Sequence, residues 1–150
     1  MSATVDVNVL VYASNEADPV HAEARALIER LAAGPDLVYL FWPTLMDYLR
    51  IVTHPAILPR PLPPAAAVGN VTALISLPHV RTPGEVDGFW EIYRVTAGDR
   101  LRGNDVPDAH VAALMRQHGV TTIHTRDRDY RRFDGIRVED PFAGMRRARP

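Results

Sequence analysis

Hydrophobic positions along this chain alternate between short continuous runs and stripes at helical spacing, the signature of strands interleaved with helices. Thr4-Val5-Asp6-Val7 predicts a buried first strand that leads into a short helix through Val9, Leu10 and Tyr12. Asp18-Pro19 opens the next helix, with Asp18 as cap and Pro19 at its first position. Ala24, Leu27, Ile28 and Leu31 form its apolar stripe, and Gly34-Pro35 stops it. A second strand is expected over 37–41. Pro43 then starts a helix carrying Leu45, Leu49 and Val52 on one face. The proline-rich stretch 56–64 reads as an exposed connection, followed by a helix over 65–77 and a short strand at Val80. Further helices are expected over 86–95 and 105–118, the second with Val111, Ala112, Leu114 and Met115 inward and Gly119 as terminator. A strand over 122–125, a turn or short helix over 128–133 and a last strand over 136–138 complete the pattern.

Strands alternating with helices predict an α/β domain with a central, mostly parallel sheet covered on both faces. No repeat divides the chain, so one domain over 1–150 is expected, with residues 144–150 a frayed basic tail. Hydrophobic residues make up 47% and charged residues 23%, ordinary values that exclude little. No apolar run reaches the length of a membrane span and no signal peptide is legible, which places the expected site of action in the cytoplasm. Cysteine is absent, excluding thiolate chemistry and Cys-type zinc sites.

All 17 basic residues are arginine. The absence of lysine has a use. Receiver domains and haloacid-dehalogenase-type phosphatases also join acidic pockets to α/β folds, but both need a lysine beside the phosphoryl group, and neither finds one here.

Acidic residues are the candidate chemistry. Asp6 interrupts an apolar segment, where an unpaired carboxylate costs several kcal/mol. It is read at the carboxyl end of a parallel strand, where open α/β sheets place their ligands, with Asn8 positioned to orient it. Asp108 lies in the first turn of a helix, where it either complements the helix dipole or points at whatever lies beyond, with Asp105 as cap or outer-shell residue. Asp47 neighbours Arg50 on a helix, and Asp127 and Asp129 follow a strand; Asp127, nearer the strand end, is preferred. Each position alone has an ordinary structural explanation.

Together they do not. Two carboxylates ~4 Å apart repel by roughly 4 kcal/mol at an effective dielectric near 20. A gathered pocket without a cationic side chain of its own would therefore demand a hard dication, Mg²⁺ or Mn²⁺. The six histidines show no HxxxH or HxH spacing, and His110 reads as packed or solvated.

At these residues the chain resembles the PIN-domain nucleases, specifically VapC-type toxins of bacterial toxin–antitoxin pairs. The resemblance is carried by D-V-N-V-L-V-Y-A near the start, W-P-T-L-M-D-Y-L-R, G-N-D-V-P-D-A-H-V-A-A-L and T-R-D-R-D-Y-R-R-F, in order and over nearly the whole length. One departure is evident: the second motif usually carries Glu where this chain has Asp47, one methylene shorter.

The resemblance implies a three-layer α/β/α fold and a metal-dependent endoribonuclease that cleaves RNA with a metal-activated water, leaving 3′-hydroxyl and 5′-phosphate ends. Asp6 and Asp108 would hold the principal ion, Asp127 would support it or a second one, and Asp47 would orient water. Thr125 is the implied supporting hydroxyl. Arg126, Arg128, Arg131 and Arg132 are candidates for RNA phosphates. The implied partners are RNA, a VapB-like antitoxin seated between the early helices, and a second copy of the chain in a homodimer or larger assembly. A degenerate PIN-like module that binds RNA or a partner without cutting is the alternative. A DNA-directed flap nuclease is disfavoured, because its helical arch has no room here.

Overall fold

The computed structural model describes residues 1–147. Its centre is a five-stranded sheet of β1 (Ser2–Val5), β2 (Leu37–Tyr39), β3 (Val80–Arg81), β4 (Thr122–His124) and β5 (Arg137–Glu139). Spatial order is β3-β2-β1-β4-β5, and every pairing is parallel. Six helices cover it: α1 (Val7–Ser14), α2 (His21–Ala33), α3 (Trp42–Val52), α4 (Pro64–Ile75), α5 (Phe89–Ala97) and α6 (Asp105–Gln117).

Strand periodicity sorts the two faces. Val38 and Leu40 join Val5, Leu45, Tyr48 and Val52 in one core. Their neighbours Tyr39 and Phe41 join Leu114, Met115 and Ile123 in the other, because successive strand side chains point to opposite faces. A third cluster, Val9, Val20, Ala24, Leu27 and Phe142, ties α1 and α2 to the chain beyond β5. The expected α/β/α layering is what forms, and the sheet is wholly parallel among the described residues.

Order along the sheet positions the site. From β1 the chain steps through β2 to β3 in one direction, then returns to place β4 and β5 on the other side of β1. Strand order thus reverses between β1 and β4, and ligands of open α/β sheets bind outside the carboxyl ends at such a point. Asp6 follows β1 there, and its backbone N–H donates to the His124 carbonyl at 3.0 Å. Thr125 follows β4 at the same level. Since α6 runs back against β4, its first turn also faces this end.

Local boundaries depart from expectation at several points. The strand expected over 4–7 ends at Val5, because Asp6 turns the chain and caps α1. Asp18 does not cap α2; its carboxylate accepts from Val20 N–H at 2.9 Å in an Asx turn, and the helix begins at His21. Asp105 is likewise not a cap, since it lies inside α6 with Asn104 before it. The expected basic tail is partly structured, with Ala143–Arg147 forming a 3₁₀ turn; residues 148–150 of that expectation lie outside the described residues. No helix among the described residues is long and apolar enough to cross a membrane.

Candidate active site

The best-ordered corner of the site is built on Asp6. Buried at 9% exposure, it accepts three hydrogen bonds: Val7 N–H to Oδ1 at 2.7 Å, Thr125 Oγ1–H to Oδ2 at 2.7 Å, and Asn8 Nδ2 to Oδ2 at 3.1 Å. Thr125 is fully buried and serves as a hub. Its oxygen also accepts from Asp127 N–H at 2.9 Å and from Asn8 Nδ2 at 3.2 Å. The carboxyl ends of β1 and β4 are thereby cross-linked through side chains from both. Asn8 Oδ1 is buried without a partner, leaving one acceptor beside Asp6 unfilled.

Asp127 caps a 3₁₀ turn over Arg128–Arg132, accepting from Asp129 N–H at 2.8 Å. With three residues per turn, Tyr130 falls under Asp127 and is packed inward at 1% exposure, against Phe133. Asp108 arrives from the first turn of α6 with 26% of its side chain exposed.

The charges of these groups act on one another. Burial pushes the Asp6 carboxyl above its ordinary range; the hydrogen bonds from Thr125 and Val7 pull it back, and the charges of Asp127 and Asp47 raise it again. Asp108 is pushed up to about 6, first by burial and then by Asp127 and Asp6, with Arg132 opposing. Burial, followed by the charges of Asp6, Asp108 and Asp127, also drives the Tyr130 phenol far above its usual range. Mutual repulsion at a surface of oxygen donors is the environment a hard dication relieves. Carboxylate oxygens are the donor type such an ion takes. Among the described residues, however, no three acidic or imidazole side chains close into a ready-made cage, so water or movement would have to complete the coordination shell.

The expectation of a pocket without its own cation is corrected. Arg132 Nη1 meets Asp105 Oδ1 at 2.7 Å and Nη2 meets Asp108 Oδ2 at 3.4 Å, while its guanidinium lies 4.7 Å over the Phe133 ring. Arg126, Arg128 and Arg131 are exposed along the same turn. Asp129 is exposed too, and its charge acts on Asp108. Asp47 stands at the rim on α3, its side chain 44% exposed and contacted by Arg50 Nε at 3.4 Å. His110 lies outside the acid group, packed on Phe89 and paired with Glu85. Tyr130 is the residue sequence reasoning passed over. Its signal was available: an aromatic three residues after Asp127 in a segment too short and polar for an ordinary helix.

Comparison with known proteins identifies the family. The PIN domain family model matches residues 3–136. Ribonuclease VapC48 of Mycobacterium tuberculosis is 55% identical over 145 residues, covering 96% of this chain and all of the relative. The chain belongs to the PIN-domain family, among its VapC-type ribonucleases. In fold it is similar to crystal structures of Mycobacterium tuberculosis VapC20, described as a sarcin-ricin loop cleaving toxin (TM-score 0.63, 22% identity, 90% of this chain and 98% of that one). It is also similar in fold to VapBC2 from Rickettsia felis bound to a promoter DNA fragment (TM-score 0.65, 14% identity, 93% and 98%).

Proposed function

We propose that this chain is the toxin half of a VapB–VapC-like pair, an endoribonuclease in which Asp6, Asp108 and Asp127 would hold Mg²⁺, with Mn²⁺ as the alternative. The observation that carries this reading is the mutual charge coupling of those aspartates at the point where strand order reverses. When bound, a divalent cation supplies water activation and charge neutralisation at phosphorus.

The chain's own residues do the rest. Thr125 and Asn8 fix the Asp6 carboxylate, so it cannot rotate away when charge changes beside it. Asp47 orients the attacking water from the rim. Tyr130 closes the floor and keeps bulk water from entering beneath Asp108 and Asp127. Exposed Arg126, Arg128 and Arg131 offset the negative pocket and bind RNA phosphates, while Arg132 is turned toward Asp105 and Asp108. Arg50 braces Asp47.

A groove of about 370 Å³ between α1, α2, α3 and α4, lined by Leu10, Ile28, Leu45 and Leu74, suits the apolar face of an antitoxin helix. Exposed Trp42, Met46 and Trp90 supply apolar surface for a second copy. The reaction belongs in the cytoplasm, where its RNA is.

Incubation of purified protein with structured RNA, with and without Mg²⁺, tests the reading. Cleavage is expected only with the metal, and only in RNA when DNA is supplied in parallel. Asp108→Asn is expected to abolish it, whereas cleavage persisting in excess chelator sinks the mechanism. The looseness of the acid group favours one rival, a PIN-like module that binds without cutting. Retained RNA binding with no cleavage at any metal concentration would select it.

A further inference from the structure

Arg132 joins two carboxylates of the first turn of α6, and the two contacts are unequal. Asp105 is held at 2.7 Å, but Asp108 at 3.4 Å. Phe133, itself buried, underlies the guanidinium at 4.7 Å and restricts where the side chain can swing. Arg132 is therefore anchored by Asp105 and Phe133, with its second nitrogen leaning on Asp108. Asp105 and Asp108 are one helical turn apart on α6 and present their carboxylates side by side.

We propose that Arg132 is a built-in counter-cation that competes with the divalent ion for Asp108, and that Asp105 moderates the competition by holding the guanidinium back. This rests on the metal-dependent reading of the site. Arg132 acts on RNA cleavage through Asp108 and is a positioning residue, not a group that contacts the reacting atoms. The weak contact is the one an arriving cation displaces, while the strong one keeps the guanidinium within reach. After displacement a unit positive charge remains close to the ion, which lowers its affinity. In the ion's absence the same charge offsets the repulsion that Asp108 feels from Asp127 and Asp6.

Two opposite effects follow from neighbouring substitutions. Removing the guanidinium removes a competitor and a like charge, so the ion binds more tightly. Removing the Asp105 charge frees the guanidinium to engage Asp108 fully, so the ion binds more weakly. If Asp105 contributed only its own negative charge, its loss would weaken binding whether or not Arg132 were present.

Mn²⁺ titration of the full chain without RNA, followed by calorimetry and by the loss of free-ion electron paramagnetic signal, separates these cases. Arg132→Gln is expected to bind Mn²⁺ about tenfold more tightly than the native chain. Arg132→Lys keeps the charge and is expected to stay near native affinity. Asp105→Asn is expected to bind several-fold more weakly, and Asp105→Asn/Arg132→Gln to match Arg132→Gln alone. Circular dichroism melts in chelator establish that each variant is folded. Equal affinity of the native chain and Arg132→Gln, with binding still lost in Asp6→Asn, overturns the role of Arg132 while leaving the metal site standing. A double variant markedly weaker than Arg132→Gln overturns the role of Asp105. No Mn²⁺ binding by any variant overturns this proposal and the metal-dependent reading together.

Discussion

Asp6 and Asp47 are both carboxylates and the charge of the second acts on the first, yet their surroundings differ almost completely. Asp6 is buried, accepts three hydrogen bonds and is locked to Thr125 on a neighbouring strand. Asp47 sits on an exposed helical turn with one long contact from Arg50. Burial makes the first electrostatically consequential: a charge shielded from water interacts strongly with other charges, and its donors hold one geometry. The second is screened by solvent and free to adjust. The same functional group is thus rigid machinery in one place and an adaptable rim in the other. If Asp47 acts through water as proposed, its exposed side chain would tolerate a change of one methylene.

The contrast ranks the effects of substitution. Asp6→Asn and Asp108→Asn should each lower RNA cleavage by on the order of 10²–10³-fold, measured on a defined stem-loop at saturating Mg²⁺. Asp108→Asn should leave the metal-free melting temperature unchanged or higher, because it removes a repelled charge, whereas Asp6→Asn should lower it modestly, because an amide cannot accept all three hydrogen bonds that hold Asp6. A large loss of stability in place of activity would identify these residues as structural. Thr125→Val keeps the volume but strips Asp6 and Asp127 of their shared partner. It should cost about 1–3 kcal/mol in urea unfolding and about 10–100-fold in cleavage.

The next effect is one of pH. Asp108 is raised from 3.8 to about 6 in the folded state, so between those values the native protein binds more protons than the unfolded chain. Stability from this group is full below pH 4 and is lost as pH climbs through about 6, by on the order of 3 kcal/mol. Melts in chelator should show that decline and Asp108→Asn should flatten it; a rise in stability over the same window would contradict the assignment. Divalent ions should restore stability mainly above pH 6, where the carboxylate is free of its proton.

The smallest effects belong to the rim. Arg50→Ala should change stability by less than about 0.5 kcal/mol. Asp47→Ala should slow cleavage several-fold, and Asp47→Glu should leave it equal to or faster than the native rate. A loss at Asp47→Ala as great as that at Asp6→Asn would erase the distinction between corner and rim.

Much of this arrangement could be read from residue order. Strands and helices were legible because β runs and helical stripes have different periods, and each Gly or Pro boundary is local chemistry. Asp6, Asp108 and Asp127 stood out because carboxylates at strand ends and helix starts are unexpected beside apolar runs. The misreadings have a common origin. Asp105 reads as a cap because caps are local, but its carboxylate is engaged by Arg132, far along the chain. Arg132 reads as one more basic residue in a charged turn, although it faces the acids. Tyr130 reads as part of a polar loop, although it is buried against Phe133.

By itself, the order of residues determined the alternation of strand and helix, the exclusion of lysine- and cysteine-based chemistry, and the identity of the acids worth watching. Those depend on periodicity, on composition and on the cost of placing charge among apolar neighbours, all properties of nearby residues. Only the folded sheet decided which acids feel one another, which one is clamped by Thr125, and which is answered by Arg132. Charge coupling and hydrogen bonding depend on distance and burial, and both arise when strand order reverses and brings the ends of β1, β4 and α6 together.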